Sequence, residues 1–397
     1  MIMGTKQYDS ATDLLTFSRA SSATFLGSNG LLQTASNAIP RIEYDATGAV
    51  KGLLIEEART NLITISGDLS GTGWAANMNR GAVTSGSPFG TYQTISPTAN
   101  SNIGSGQIYQ IGKTLTSGAT YVGWALVKYS AGSGWFDINM YDTGDTSKRA
   151  YFDVQNGVVG VKDAANIDHG MVDYGDGWWL CWASANATST SGGPLYEVPN
   201  GNGSTSCTTT DAILIAGTQY ELGAFPTSYI PTTGATATRA IDIAEIPTSA
   251  FGYNNDAGSI SVEFKSNKPS SLDYGAFVLS DGSPTNRILH FTSSTAHRVA
   301  SINSNTIDVN IGAGSRGAPS ELVKFAIAFA KNNFAASLNG ATAVTDTSVT
   351  VPSGLSKLAL GYFYPTNPNS NLLNGHIKSI QYYPRRLTNT QLQELTT

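Results

Sequence analysis

The chain has 397 residues, a formal net charge of −5 and only 13% charged residues, against 42 Gly, 18 Tyr and 14 Phe. A weakly acidic chain without a basic cluster argues against nucleic acid as a partner and against anionic membrane surfaces. No stretch of 18 apolar residues occurs, which argues against membrane insertion through a helix. Helical proteins place Ala, Leu, Glu, Lys and Arg on exposed faces; here Glu and Lys are scarce, and Ser, Thr, Asn and Gly are abundant. That vocabulary suits strands joined by many turns, so the fold class expected is all-β.

The first 62 residues show almost no helical periodicity. They carry Phe17-Ser-Arg-Ala-Ser-Ser-Ala-Thr-Phe25, then Gly30-Leu-Leu32, Pro40-Arg41 and Gly52-Leu-Leu-Ile-Glu-Glu-Ala-Arg-Thr-Asn-Leu62. A segment so short and so rich in Ser, Ala and Gly cannot bury a large core alone. It must pack on its own downstream domain, on sister chains or on another protein. Residues 1–61 are therefore expected to form an attachment or oligomerisation segment. Phe17, Phe25 and Leu54 would supply apolar contacts, and Arg19, Arg41 and Arg59 would pair acids or carbonyls, with Glu56 in the same set. In a strand Glu56 and Glu57 face opposite sides; in a short helix they would pair locally with Arg59. The opening seven residues lack a signal-peptide core, so synthesis in a cytoplasm is expected, with Cys181 and Cys207 as unpaired thiols.

All six tryptophans fall between Trp74 and Trp182, which sets residues 62–240 apart as a middle domain. Residues 120–128 and 135–141 alternate as half-buried strands should. Asn156-Gly157 between 150–154 and 158–161 predicts a tight hairpin. Residues 177–183, 212–216 and 219–222 add further strands, and turns at short spacing point to a jelly-roll sandwich. The prolines and β-branched residues of 226–242 mark a boundary where sheet pairing should break.

From 241 to 397 the core shifts to Phe, Ile, Leu and Tyr. Strands are expected at 258–264, 275–279, 287–291, 322–329, 334–338, 357–360 and 376–383, with a second hairpin signal at Asn339-Gly340. Thr388 is a good N-cap, and Leu392 with Leu395 would form the apolar face of a closing short helix. No repeat of fixed period is visible, so a β-helix is not expected.

Glycan binding needs a flat aromatic ring for the apolar face of a sugar and planar polar side chains for its hydroxyls. Trp74 and Trp135 follow Gly-rich loops, and Tyr141 and Asp142 lie beside another turn. In the last domain the polar loop 362–371, with Tyr362, Tyr364 and Asn367, is the corresponding candidate. Glycoside hydrolysis needs paired carboxylates across a cleft, and acids are few. There is no nucleophile elbow, phosphate loop or His-Glu zinc helix. No catalytic residue, metal site or cofactor is expected, and the chain is read as a non-enzyme.

The N-terminal run resembles the N-terminal segment of fibre, spike and appendage proteins of tailed bacteriophages. Gly175-Asp-Gly-Trp-Trp179 and Tyr220-Glu-Leu-Gly-Ala-Phe-Pro-Thr-Ser-Tyr-Ile-Pro-Thr232 resemble the carbohydrate-binding-module sandwiches of such fibres. The strand, Pro384-Arg-Arg-Leu387 turn and short helix resemble the ending of concanavalin-A-like, laminin-G-type sandwiches. These resemblances imply a virion protein, made in a bacterial cytoplasm, that displays lectin-like domains. Its partners would be other virion structural proteins, host surface polysaccharide and sister chains, with a homotrimer favoured. A purely structural decoration protein and a glycan depolymerase are the alternatives.

Overall fold

In the computed structural model, residues 2–3, 6–7, 14–102, 106–145, 147–364, 366–367 and 371–397 are described. The fold is all-β, two sandwiches closed by one short C-terminal helix, Asn389–Leu395.

The middle sandwich has two seven-stranded sheets among the described residues. The first runs in the order Met78–Arg80, Gly90–Pro97, Ala212–Leu222, Thr120–Ala131, Trp178–Asn186, Asn166–Asp173, with Thr84–Ser87 beside Gly90–Pro97. The second runs Val158–Lys162, Arg149–Asp153, Trp135–Asp142, Ser191–Glu197, Gln107–Tyr109, Ala75–Ala76, with Lys113–Thr114 also on Ser191–Glu197. Alternate residues of the long strands meet between the sheets: Ala125 and Val127 from one, Phe136, Ile138 and Met140 from the other, with Tyr196 and Ile215. Each such large side chain contributes about 1.5–3 kcal/mol on burial. Both cysteines are buried free thiols.

Asn156-Gly157 does not make the two-residue hairpin expected. Asp153 pairs with Val158, so four residues form the connection. Val154 is drawn into the core, only 1% exposed, and the Asp153 carboxylate accepts from the Asn156 backbone and side-chain amides at 3.0 and 2.9 Å. At the second signal both residues have positive φ, 45° at Asn339 and 75° at Gly340, and Ala341 N–H donates to the Leu338 carbonyl at 2.9 Å. The closing helix starts as its residues dictate. Thr388 Oγ1 accepts from Gln391 N at 3.2 Å, and the Gln391 side chain accepts from Thr388 N at 2.9 Å. Its buried Leu392 sits on Ala326, Ala328 and Ala335, sealing the outer face of the last domain's larger sheet.

The N-terminal segment is not a free anchor; its core-forming residues are used within the chain. Thr16–Ser18 pairs with Ile243–Pro247 in one sheet of the C-terminal sandwich. Val50–Ile55 pairs with Gly375–Tyr383 in the other. Leu53 and Ile55 are part of that sandwich's core, and half-buried Phe17 packs against it. Leu54 is 2% exposed, and Phe25 is half-buried in a short ladder, Ala23–Leu26 with Leu32–Ala35. The 226–242 stretch likewise keeps sheet pairing, because Ala237–Arg239 forms a ladder with Arg59–Asn61. Residues 50–55 are a strand, which excludes the short-helix alternative there.

The expected arginine contacts are internal too. Arg19 meets Asp242 at 3.1 Å, Arg41 meets Glu56 at 2.8 Å and Asp242 at 2.5 Å, and Arg239 meets Glu56 at 3.2 Å. Burial alone would push Glu56 up, but Arg239 and Arg41 hold it down at about 2. Arg59 pairs Glu57, donates to the Leu222 carbonyl and lies 5.0 Å from the Phe225 ring centre. A buried charge knot therefore ties the N-terminal segment to the connector between the sandwiches.

Candidate functional site

Strand Trp135–Asp142 alternates strictly. Phe136, Ile138 and Met140 enter the core, so Trp135, Asp137, Asn139 and Tyr141 face outward. Residues directly opposed in an antiparallel ladder share a face, so the register defines an array on the outside of this sheet. One row is Tyr151, Asp137, Glu197, Gln107; the next is Arg149, Asn139, Leu195, Tyr109. Trp135, opposed by Asp153, closes one end, and Tyr141 lies toward the other. The position opposed to Tyr141 is Gly193, which places no side chain against the phenol.

The array has a buried floor and half-buried rings. Asp137, Asn139, Tyr151 and Glu197 are buried, while Trp135, Tyr141, Tyr109, Gln107 and Arg149 are half-buried. Trp135 lies against Gly160, where a Cβ would come within 2.7 Å of its ring. Arg149 Nε donates to Glu197 Oε2 at 2.8 Å. Burial, then the adjacent Glu197 carboxylate, pushes Asp137 well above the usual carboxylate range. Both carboxylates are fully enclosed. What the face offers is donors, acceptors and flat rings in fixed register.

Two of the four middle-domain candidates are structural instead. Trp74 is 7% exposed, its indole N–H donates to the Ile65 carbonyl at 2.7 Å, and its ring centre lies 6.1 Å from that of Tyr196. Asp142 is 1% exposed. Its carboxylate accepts from Lys148 Nζ at 2.5 Å and from Thr188 N and Oγ1 at 2.8 and 2.7 Å. Burial raises this acid, but those bonds win and hold it well below its usual range. It fixes the turn after the strand. In the last domain Tyr362 is core, 1% exposed, and its hydroxyl donates to Glu245. Tyr364 stays half-buried, 4.9 Å beneath the Arg287 guanidinium, and Asn367 is exposed. Residues 365 and 368–370 of that loop lie outside the described residues.

The structure thus unites Trp135 and Tyr141 on one face and leaves Tyr364 and Asn367 on the other sandwich. Asp137, Asn139, Arg149, Tyr151, Glu197, Gln107 and Tyr109 are the members sequence reading missed. The signal for two of them was present. The same alternation that sends Phe136, Ile138 and Met140 inward sends Asp137 and Asn139 outward beside Trp135 and Tyr141.

No protein-family model matches this chain, and no curated protein matches it. Among solved structures it is similar to the CBM40 of the Ruminococcus gnavus IT-sialidase bound to α2,3 sialyllactose, at 15% identity and a TM-score of 0.33, covering 38% of this chain and 87% of that one. Domain 4 of the Geobacillus stearothermophilus GH43 arabinanase AbnA, in complex with arabinotriose, is similar at 15% identity and a TM-score of 0.32, covering 43% and 82%. The Streptococcus pneumoniae NanB sialidase is similar at 16% identity and a TM-score of 0.32, covering 38% of this chain and about a quarter, 26%, of that one. A sandwich hosts many functions, so function is read from the face itself.

Proposed function

We propose that this protein is a non-enzymatic glycan-binding protein displayed on a phage virion, and that the outer face of the middle sandwich binds host surface polysaccharide. The observation that carries the glycan reading is the register that sets Trp135, Tyr141 and Tyr109 on one face with two adjacent polar rows, that of Asp137 and that of Asn139 and Arg149. The virion setting rests on the resemblance of residues 17–62 to phage appendage proteins. Single sites on sandwiches are shallow and weak. Display as a homo-oligomer, a trimer by that resemblance, would raise avidity roughly 10²–10⁴-fold.

A glycan array probed with the full chain and with Trp135→Ala tests this. The wild type should bind, and the variant should fold but bind more weakly by about 1–3 kcal/mol, the value of one stacked ring. A folded variant with undiminished binding would overturn the site. The second reading is a purely structural decoration protein, favoured by the burial of Trp74, Asp142 and Tyr362. An array on which the wild type binds nothing would establish it over the first.

A further inference from the structure

A cleft of about 590 Å³ lies between the two sandwiches, at the point where the N-terminal segment crosses from one to the other. Small-ligand sites fall in about this range and favour domain junctions. We propose that this cleft is a second saccharide site, separate from the outer face of the middle sandwich. Its ligand would be a neutral sugar.

One wall is apolar and carries a ring. Trp182 is half-buried on the strand next to the edge strand Asn166–Asp173, and its register partner there is Gly170. A Cβ at Gly170 would come within 2.9 Å of the indole nitrogen, so the indole lies across a residue without a side chain. Leu180 and Phe225, both buried, continue this wall.

The other wall is polar and braced. Glu43 Oε2 accepts from Lys51 Nζ and from His376 Nε2, both at 2.7 Å. Lys51 and Glu43 come from the N-terminal segment and His376 from the last strand of the C-terminal sandwich. Lys265 and Asn267 of that sandwich lie alongside. An aromatic plane facing a fixed line of donors and acceptors fits a pyranose, which has an apolar face and a hydroxyl edge.

The charge balance selects the class. Glu43 and Glu56 are used in ion pairs. Among the described residues, the lining charges outside ion pairs are Asp168 and Asp173 against Lys265. Acids outnumber the base, so a uronate or a sialate would be repelled and a neutral sugar would not. Because the walls belong to different sandwiches, an occupant would also hold the two together.

The test is an array of neutral and acidic oligosaccharides probed with the full chain. Hydrogen exchange is then followed with the strongest neutral binder on the wild type, Trp182→Ala and Trp135→Ala. The expected result is protection of residues 166–173 and of the strand around His376, with affinity about tenfold weaker in Trp182→Ala and unchanged protection there in Trp135→Ala. Should Trp182→Ala misfold, Lys265→Ala, an exposed change, is expected to weaken binding about threefold or more. Absence of neutral binders, binding that leaves residues 166–173 unprotected, or full affinity in folded Trp182→Ala would overturn the cleft. The outer-face reading fails through Trp135→Ala, so the two failures are distinguishable.

Discussion

Arg41 shows how much a single residue carries here. It is fully buried, bridges Glu56 and Asp242, and donates to the Thr24 carbonyl at 2.9 Å and the Ser228 hydroxyl at 2.8 Å. Removing one partner of a buried ion pair leaves charge uncompensated, at a cost of about 3–5 kcal/mol. Arg41→Ala should therefore lower the stability of the chain by that amount in urea unfolding; a loss under about 1 kcal/mol would mean the knot is dispensable. A buried histidine pair gives a pH test. His290 Nδ1 accepts from Ala276 N at 3.2 Å, so its Nε2 carries the hydrogen and donates to His297 Nδ1 at 3.0 Å. Burial lowers both, His290 well below its usual value and His297 to about 4, with Arg316 adding to the effect on His297. The unfolded chain takes up these protons near pH 6.5 and the folded chain resists them. Their contribution to stability is complete above pH 6.5 and is lost as pH falls toward 4, by up to about 3 kcal/mol for His297. Asp137, raised in the fold, runs the opposite way, so the comparison needed is between wild type and His297→Gln. The urea midpoint should fall less between pH 7 and pH 4.5 in the variant; equal falls would refute the assignment.

At the scale of elements, strands were the legible unit. Alternation in 135–141 and the Thr388 cap are local properties, written in neighbouring residues, and both stand in the structure. The hairpin at Asn156 was misjudged because a core contact by Val154 outweighed turn preference. The N-terminal segment gave composition but not destination. Its strands complete both sheets of the C-terminal sandwich, and Leu32 helps cover the Trp124 and Trp178 cluster on the middle sandwich. A chain beginning at Asn61 would lose these strands and uncover Ala244 and Ile377, their ladder neighbours. It is expected to be aggregated or to lack a cooperative thermal transition by circular dichroism. A soluble truncation melting at the wild-type temperature would show that the segment is an appendage after all.

For the whole molecule, the sequence by itself determined the class of fold, the concentration of tryptophan in the middle sandwich and the closing helix. Those follow from composition and from periods of two and of about 3.6, which need no knowledge of distant residues. It also placed Trp135 and Tyr141 at the two ends of one strand, as candidate sugar contacts. Only the tertiary structure decided that Trp74, Asp142 and Tyr362 are internal, that Arg19, Arg41 and Arg59 are bound within the chain, and that Glu197 and Gln107 complete the row begun by Asp137. The same holds for the cleft, whose Glu43 and His376 lie 333 positions apart in the chain. The physical reason is common to all of these. A strand's own residues fix which side chains share a face, but not which strand lies opposite or what covers that face, because pairing is settled by non-local register and burial.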